Sequence, residues 1–270
     1  RNLNPEDIAG ARKAGGEVID DQLRDRLPYI SVNPQHPVLS KPEVRQAIKY
    51  LVDYEGMQNS FLKGQYTIHQ NFLPRTYLGA VDENPFSLNI EKAKALLAAA
   101  GVGPFEIEVG VREAQERIEI SQSLQNTFAQ AGITVNITVG TAKAILGRYR
   151  ARELDMYMGA WGPDYPDPHT NAGTFAYNPV NTDEAGATGL LAWRNAWDTG
   201  GLTSKVAAAV IEGDRDKRAK MYADIQSEFR DIAPFAVLFQ KIEQTACNEA
   251  VQNLNLGGAI TAVSYWPVTK

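Results

Sequence analysis

Residues 105–139 constrain the fold more than any other part of the chain, because a helical pattern lies there between two strand patterns. Phe105 to Val111 places an apolar residue at every second position, and Ile133 to Val139 does the same. Between them, apolar residues recur at helical spacing from Ile120 to Ala131. Strand, helix and strand with short connections predict a βαβ unit, whose two strands are parallel with a right-handed crossover.

Similar patterns extend this unit to a larger α/β lobe. Apolar periodicity and capping residues predict further helices over residues 5–14, 44–52, 90–100, 142–152 and 214–233, the last ended by Pro234. Alternating or continuous apolar runs predict further strands over residues 17–20, 27–32, 154–160 and 235–239. Helices that alternate with strands in this way predict a mixed sheet flanked by helices.

Composition and charge exclude several classes of function. The 270 residues carry a net charge of −5 without a long run of Lys and Arg, so no nucleic-acid partner is expected. No apolar run approaches the ~20 residues that span a bilayer, so direct membrane insertion is not expected either. The one cysteine, Cys247, excludes an internal disulfide and any cysteine-rich zinc site.

The most distinctive segment is Trp-Gly-Pro-Asp-Tyr-Pro-Asp-Pro at residues 161–168, which directly follows a predicted strand. In α/β folds, ligands bind beyond the carboxyl ends of strands. Trp161 and Tyr165 offer broad contact area, and the carboxylate of Asp164 is suited to a cationic ligand group such as an α-ammonium. The alternative is a Pro-Asp turn in which the carboxylates only cap local structure.

A second aromatic and charged cluster follows within the stretch 161–203, which lacks periodicity and is predicted to be a long loop. Trp193 and Arg194 are candidates for the wall of a cleft, with Arg194 facing a ligand carboxylate. The alternative is that the tryptophan rings pack on the lobe and the arginine is solvated.

An enzyme is the competing interpretation of the same region. Asp164, Asp167 and His169 are candidates for the acid–base or metal-binding residues of a hydrolase or metalloenzyme. A metal site needs three or four converging ligands, and the three histidines of the chain lack the HxxxH spacing. This interpretation predicts a turnover that His169→Ala abolishes and a metal that copurifies.

Taken in order, several motifs resemble the peptide- and nickel-binding family of bacterial extracellular solute-binding proteins, family 5. They are Asn33 with the prolines that follow it, Val44 to Ile48 (VRQAI), Ala93 to Gly101 (AKALLAAAG), Leu154 to Met156 leading to Trp161 and to Asp164 to Pro168 (DYPDP), and the helix that carries Lys217, Arg218, Tyr222 and Gln226 before Pro234. These matches cover nearly the whole chain and follow the order found in the family.

The resemblance implies a two-lobed, hinged protein that encloses its ligand. Residues 1–38 are then the end of the first lobe and a hinge segment, and residues 39–234 are the second, carboxyl-terminal ligand-binding lobe. Residues 235–270 return to the hinge and the first lobe. Family members are about twice this length, so the remaining part of the first lobe is expected before Arg1. The fold implied is a type II periplasmic-binding-protein-like lobe.

The resemblance also implies roles for individual residues. Asp164 matches the aspartate that pairs with the ligand's α-ammonium in peptide-binding relatives, and Trp161 matches an aromatic residue of the pocket. An arginine that binds the ligand's carboxylate in those relatives stands three residues before the tryptophan, where this chain has Met158. Possible substitutes in this sequence are Arg148, Arg150 and Arg194.

The expected function is therefore the substrate-binding component of an ABC importer and not an enzyme. Lobe closure captures a peptide-like or other small solute, and the closed protein docks on ABC permease subunits. The expected location is periplasmic or extracytoplasmic, with membrane association through the transporter. No cofactor is implied, and peptides, sugars, nickel chelates and opine-like compounds all remain open as ligands.

Overall fold

The computed structural model describes residues 3–21, 26–254 and 265–269, which form an α/β fold. Its helices are α1 (Pro5–Lys13), α2 (Pro42–Tyr50), α3 (Tyr54–Asn59), α4 (Ile90–Ala99), α5 (Gln115–Ala129), α6 (Ala142–Arg150), α7 (Pro168–Phe175), α8 (Leu191–Arg194), α9 (Gly201–Ile211) and α10 (Arg215–Ile232). Its strands are β1 (Glu17–Asp21), β2 (Leu27–Val32), β3 (Tyr66–Ile68), β4 (Phe105–Arg112), β5 (Ile133–Gly140), β6 (Met156–Trp161), β7 (Phe235–Val237), β8 (Phe239–Lys241) and β9 (Glu243–Cys247).

Capping residues explain where several of these helices begin. Asn89 accepts a hydrogen bond from the backbone N–H of Lys92 at the start of α4, and Asp214 accepts one from Lys217 at the start of α10. Such side chains satisfy backbone donors that have no partner within the helix. Gly101, directly after α4, has a positive φ of 65°, which suits a glycine at a helix end. Asn89 and Asp214 therefore fix the starts of α4 and α10, and Gly101 marks the end of α4.

The central sheet has five strands in the order β5-β4-β6-β2-β7. β4 is parallel to β5 and to β6, whereas β2 is antiparallel to both β6 and β7. The predicted βαβ unit is confirmed as β4, α5 and β5. The carboxyl ends of β4, β5 and β6 therefore lie at one edge of the sheet, together with the amino-terminal end of β2.

Apolar cores cover both faces of this sheet. One core contains Val44, Leu124 and Met156 and brings α2 to α5 onto the first face. The other contains Tyr157, Phe175 and Phe229 and brings α6 to α10 onto the second face. Met156 and Tyr157 are neighbours in β6 that point to opposite faces, as alternation in a strand requires. The prediction of a mixed sheet flanked by helices is confirmed.

The long loop predicted over residues 161–203 is wrong in part. The segment contains α7, α8 and a 3-10 turn at Asp183–Ala185, and α9 begins at Gly201. α7 starts with Asp167 as its capping residue and Pro168 at its first helical position. With only eight residues in α7 and four in α8, neither helix is long enough to show the periodicity by which helices are recognised in sequence.

The two ends of the chain divide between this sheet and a separate strand pair. β2 and β7 are strands of the five-stranded sheet, and β8 pairs with β3 next to them. β1 and β9 instead form a separate two-stranded antiparallel sheet. The strand predicted at 235–239 is two short strands, β7 and β8. The sequence also predicts a turn at Gly257 and Gly258, which lie outside the described residues.

α2, which contains the VRQAI segment, caps the carboxyl end of α10. Arg45, Gln46 and Lys49 donate hydrogen bonds to the backbone carbonyls of the three residues 232, 231 and 230, respectively. These carbonyls have no acceptor role left within the helix, so the side chains satisfy groups that would otherwise lack partners. The contact fixes α2, on one face of the sheet, to the end of α10, from the other face.

The buried ammonium of Lys49 predicts a stability that rises with pH. Burial lowers the pKa of Lys49 to about 7 from an ordinary value of 10.5, and Arg45 lowers it further. Between these two pH values the unfolded chain holds a proton that the folded chain has released, so raising the pH favours folding. Urea unfolding at about pH 7 and about pH 9.5 should show a gain of a few kcal/mol that Lys49→Met removes.

The matched control for this experiment is Lys63→Met, because Lys63 is exposed. Lys63→Met should retain the gain in full. An unchanged gain in Lys49→Met would show that the ammonium of Lys49 is not the group responsible.

Candidate functional site

The carboxyl edge of the sheet, defined above by the ends of β4, β5 and β6, carries most of the polar groups of interest. β4 ends at Arg112 and β6 ends at Trp161, where Trp161 lies opposite Leu27 at the start of β2. Adjacent strands are ~4.8 Å apart, so side chains from these ends face one shared region. Ligand sites in α/β folds form at such edges.

Trp161 is held in place by the helix that follows it. Its indole Nε1 donates a hydrogen bond of 3.1 Å to Oδ1 of Asn171 in α7. Its ring meets that of Phe175 edge to face, with 6.4 Å between the ring centroids. The side chain remains only partly buried. The tryptophan therefore presents part of a fixed aromatic surface at the carboxyl edge.

Asp167 has a structural role. Its carboxylate accepts two hydrogen bonds from the guanidinium of Arg218, at 3.0 and 2.9 Å, and one from the backbone N–H of His169. Burial acts to raise the pKa of Asp167, but the hydrogen bonds from Arg218 and His169 outweigh it and hold the pKa below its ordinary value. For this residue, the alternative interpretation given in the sequence analysis, a carboxylate that only caps local structure, is therefore correct.

Asp164 is the carboxylate of the turn that remains available. It is exposed, and it makes no hydrogen bond or ion pair with any residue that the structure describes. Tyr165 is 52% exposed, and its backbone carbonyl accepts hydrogen bonds from the hydroxyl of Tyr77 at 3.4 Å and from the backbone N–H of Asp167 at 2.9 Å. The turn thus presents one negative charge and two aromatic rings, those of Trp161 and Tyr165.

The triad of the competing enzyme interpretation is not favoured. Asp167 is already bound to Arg218, and burial lowers the pKa of His169 at the first turn of α7. Among the described residues, no group of three or more His, Cys, Asp and Glu side chains has the geometry to hold a metal ion.

Trp193 and Arg194 lie inside the lobe. Trp193 is 4% exposed, donates to the carbonyl of Thr182, and stacks against the guanidinium of Arg152 at 3.9 Å. Arg194 is 9% exposed and donates to the carbonyl of Thr188. Both side chains hold the segment after α7 against the rest of the lobe through the contacts that the structure describes.

The carboxyl edge also holds a positively charged group that the sequence analysis missed, here named the arginine cluster and consisting of Arg26, Arg112 and Arg117. Arg112 ends β4, Arg117 lies in the first turn of α5, and Arg26 directly precedes β2. Within the described parts of the chain, none of the three side chains makes a hydrogen bond or an ion pair. The charges of Arg112 and Arg26 act on Arg117, and no carboxylate among the described residues is in contact with any of the three.

Arg117 is the most unusual member of the cluster. It is 5% exposed, yet its Nε has no hydrogen-bond partner among the described residues, and the buried Nε of Arg112 also lacks one there. Burial lowers the pKa of Arg117, and the nearby charges of Arg112 and Arg26 lower it further. A buried cation without partners is costly, and the positive amino-terminal end of α5 adds to the cost.

The backbone at this position favours an anion as well. α5 begins after Ala114, which has no side chain able to cap the helix, so donors of its first turn are left without a side-chain partner. Helix amino termini of this kind bind carboxylates and phosphates. Together with the arginine cluster, they form a region suited to negative charge.

A cavity of about 580 Å³ opens beside this region, between α1 and the sheet-bearing lobe. Gln115 and Glu116 line it from the start of α5, and Tyr66 lines it from β3. Burial raises the pKa of Tyr66, and Arg26 and Arg117 are among the charges that act on it. Among the described residues, the charged groups of the lining are Glu6, Asp7, Glu116, Glu119 and Lys241, and none of the three arginines is part of it.

Two signals in the sequence point to the arginine cluster in retrospect. Arg112 ends an alternating strand that leads into a helix, which is where α/β folds place ligand residues. Arg117 puts a positive charge in the first turn of a helix, where acidic residues are favoured. Arg26 carries no comparable signal, because its proximity to the others follows from the place of β2 in the sheet.

Comparisons with known proteins identify relatives of this chain. The model of the bacterial extracellular solute-binding proteins, family 5 (middle) matches residues 1–183. The chain is 24% identical over 265 residues to the di/tripeptide-binding protein 3 of Pseudomonas aeruginosa, covering 94% of this chain and 48% of that protein. It is 24% identical over 242 residues to the dipeptide-binding protein of Escherichia coli, covering 87% and 44%.

Solved structures are similar in fold. The periplasmic binding protein DppA of Helicobacter pylori, in complex with the peptide STSA, matches with a TM-score of 0.86 at 20% identity, covering 96% of this chain and 50% of that one. AgaA of A. tumefacien R10, in complex with agropinic acid, matches at 0.80 and 21%, covering 93% and 50%. The predicted type II lobe is confirmed, and the chain spans about half the length of the relatives it matches.

Proposed function

The chain belongs to family 5 of the bacterial extracellular solute-binding proteins, and we propose that it is the carboxyl-terminal lobe of a protein that captures peptide-like solutes for an ABC importer. The observation that carries this proposal is that one edge of the sheet holds both a free carboxylate, Asp164, and the arginine cluster, which has no described ion-pair partner. A peptide is a zwitterion, so opposite charges at adjacent strand ends match its two termini.

In this arrangement each group has a defined task. Asp164 binds the ligand's α-ammonium, and Arg112 and Arg117 bind its carboxylate. The two arginines thereby do the task of the arginine that peptide-binding relatives carry where this chain has Met158. The rings of Trp161 and Tyr165 cover the ligand between the two ends. Trp193 and Arg194 support the segment behind this surface, since all their described contacts are internal.

Enclosure requires a second lobe. We assign α1 and the β1–β9 pair to that lobe and residues 26–241 to the ligand-binding lobe, because β2 and β7 are strands of its central sheet. The chain then crosses between the lobes twice, before Arg26 and after Lys241. Two crossings of this kind are suited to a hinge, and the ligand stabilises the closed state through its higher affinity for that state.

The partners follow from the relatives. Di/tripeptide-binding proteins and periplasmic binding proteins associated with ABC transporters support a peptide ligand, permease subunits as partners and an extracytoplasmic location. None of the described helices is long and apolar enough to cross a membrane. The relatives are binding proteins, and ATP hydrolysis is assigned to other subunits of the transporter.

Calorimetric titration of the full-length protein with di- and tripeptides tests the role of Asp164. Asp164→Asn should weaken binding by about tenfold to 100-fold, because a charge-assisted hydrogen bond to the α-ammonium contributes about 1.5–3 kcal/mol. The control Asp216→Asn removes an equally exposed carboxylate from α10 and should bind as the wild type does. Equal affinities of Asp164→Asn and wild type would remove Asp164 from the site, and no binding of any peptide would contradict the proposed function.

A further inference from the structure

We propose that the cavity between α1 and the sheet-bearing lobe binds a cationic side chain of the ligand, so that the protein favours peptides whose last residue is lysine or arginine. The inference rests on the proposed function and goes further, because it selects a ligand class within it. Three observations support it: the acidic lining of the cavity, the apolar surface beside these charges, and a buried hydroxyl at the cavity that has no described hydrogen-bond partner.

The charged groups of the lining favour a cation. Four carboxylates and one ammonium line the cavity, namely those of Glu6, Asp7, Glu116 and Glu119 and that of Lys241. The ammonium is already paired, since Nζ of Lys241 lies 3.4 Å from a carboxylate oxygen of Glu243. Glu6 and Glu116 make no hydrogen bond or ion pair with any described residue. The lining is therefore negative on balance, and two of its carboxylates are available to a ligand.

The hydroxyl of Tyr66 is an independent sign that the cavity binds a polar group. Tyr66 is 6% exposed and lines the cavity, and its ring packs edge to face on that of Phe239 in the core. Its hydroxyl makes no hydrogen bond with any described residue. Burial raises the pKa of Tyr66 and the charge of Glu116 raises it further, so the phenol lies near this lining carboxylate. A buried hydroxyl without a partner is costly, and a ligand ammonium can donate to it.

The rest of the lining suits the aliphatic part of a basic side chain. Leu3 and Phe61, both partly exposed, contribute apolar surface. Lysine and arginine pack their aliphatic stems on such surface while the charged end reaches polar groups. The side chain of Gln65 donates a hydrogen bond to the backbone carbonyl of Leu3, which fixes the wall at the start of α1 to the lobe. The volume of about 580 Å³ lies within the range of small-molecule sites.

The position of the cavity selects the carboxyl-terminal residue of the peptide. Glu116 lines the cavity from the first turn of α5, the turn that also carries Arg117. A peptide whose α-carboxylate is bound by Arg112 and Arg117 therefore has the side chain of its last residue nearest to the cavity. Arg26 and Arg117 also act on the phenol of Tyr66. The bound α-carboxylate offsets their repulsion of a cationic side chain.

Calorimetric titration of the full-length protein compares Ala-Lys with Ala-norleucine, which has the same aliphatic chain without the ammonium. Ala-Lys should bind about tenfold more tightly, since it adds a charge-assisted interaction. Raising the salt concentration should reduce this preference, because Glu6 and Asp7 are exposed and their charges are screened. Lys-Ala, which carries the ammonium on its first residue, should bind within about threefold of norleucyl-alanine.

Three variants assign the preference to the cavity. Glu116→Gln should bring the affinities for Ala-Lys and Ala-norleucine within about threefold of each other. Tyr66→Phe keeps the ring that packs on Phe239 and should weaken Ala-Lys by about threefold without changing the affinity for Ala-norleucine. The control Glu43→Gln removes an exposed carboxylate from the first turn of α2 and should preserve the wild-type preference.

The outcomes separate the two proposals. Ala-norleucine binding as tightly as Ala-Lys would overturn the inference and leave the proposed function intact. A preference for Ala-Lys that survives in both Glu116→Gln and Tyr66→Phe would also overturn it, because the ammonium would then be bound elsewhere. If none of these dipeptides binds, nor any member of a panel of di- and tripeptides, both proposals fail.

Discussion

Replacing Arg117 by methionine should stabilise the ligand-free protein. The same substitution should weaken its binding of an anionic ligand. Arg117 is 5% exposed, its Nε has no partner among the described residues, and Arg112 and Arg26 repel its guanidinium. Methionine fills a similar volume without charge, so the free energy of unfolding should rise by about 1–2 kcal/mol. Binding should fall by about tenfold to 100-fold with the lost charge-assisted hydrogen bonds.

Urea unfolding of the ligand-free protein and calorimetric titration with a peptide measure the two effects. Arg117→Lys is the informative companion, because it retains the charge but loses the guanidinium's paired donors. It should bind with intermediate affinity and gain no stability. A loss of both stability and binding in Arg117→Met would show that Arg117 is a structural residue whose partner lies outside the described parts of the chain.

Replacing Phe175 by alanine should cause the largest loss of stability of any single change considered. Phe175 is fully buried at the end of α7. The centroid of its ring lies 5.4 Å from that of Tyr29, 5.4 Å from that of Phe235 and 6.0 Å from that of Phe229. Removing the ring leaves a cavity among aromatic side chains that cannot all move to fill it. The free energy of unfolding should fall by about 3–5 kcal/mol.

The same substitution should loosen the binding surface, because the ring of Phe175 also supports Trp161. Thermal unfolding followed by circular dichroism measures the stability, and tryptophan fluorescence reports on the surroundings of the indoles. Val180→Ala, at a site that is 52% exposed, is the control and should change stability by less than about 0.5 kcal/mol. A loss below about 1 kcal/mol in Phe175→Ala would mean that the surrounding rings repack.

Long elements with a clear period were predictable from the sequence. The βαβ unit at 105–140 and the helix that ends at Pro234 depend on apolar spacing within one segment, and the structure has both. α7 and α8 were missed, because helices of eight and four residues are too short to display a period. Their positions are set by contacts such as that of Asp167 with Arg218, which are remote in sequence.

The site was predictable only where one segment carries it. The turn after Trp161 contains both Asp164 and Asp167, and only the family resemblance singles out Asp164, because local spacing does not show which carboxylate is free. The structure does, because Arg218 from α10 occupies Asp167 and leaves Asp164 exposed. Tertiary contacts also decide the role of Arg194, because its Nε donates a hydrogen bond to the backbone carbonyl of Thr188.

The sequence by itself determined that this chain forms a mixed α/β lobe with a stiff aromatic and acidic turn at the end of a strand, since these are properties of local spacing. Tertiary structure alone decided the place of β2 between β6 and β7, and with it the meeting of Arg26, Arg112 and Arg117. The physical reason is that strand order brings together residues distant in the chain, and whether a charge is free or paired depends on such neighbours.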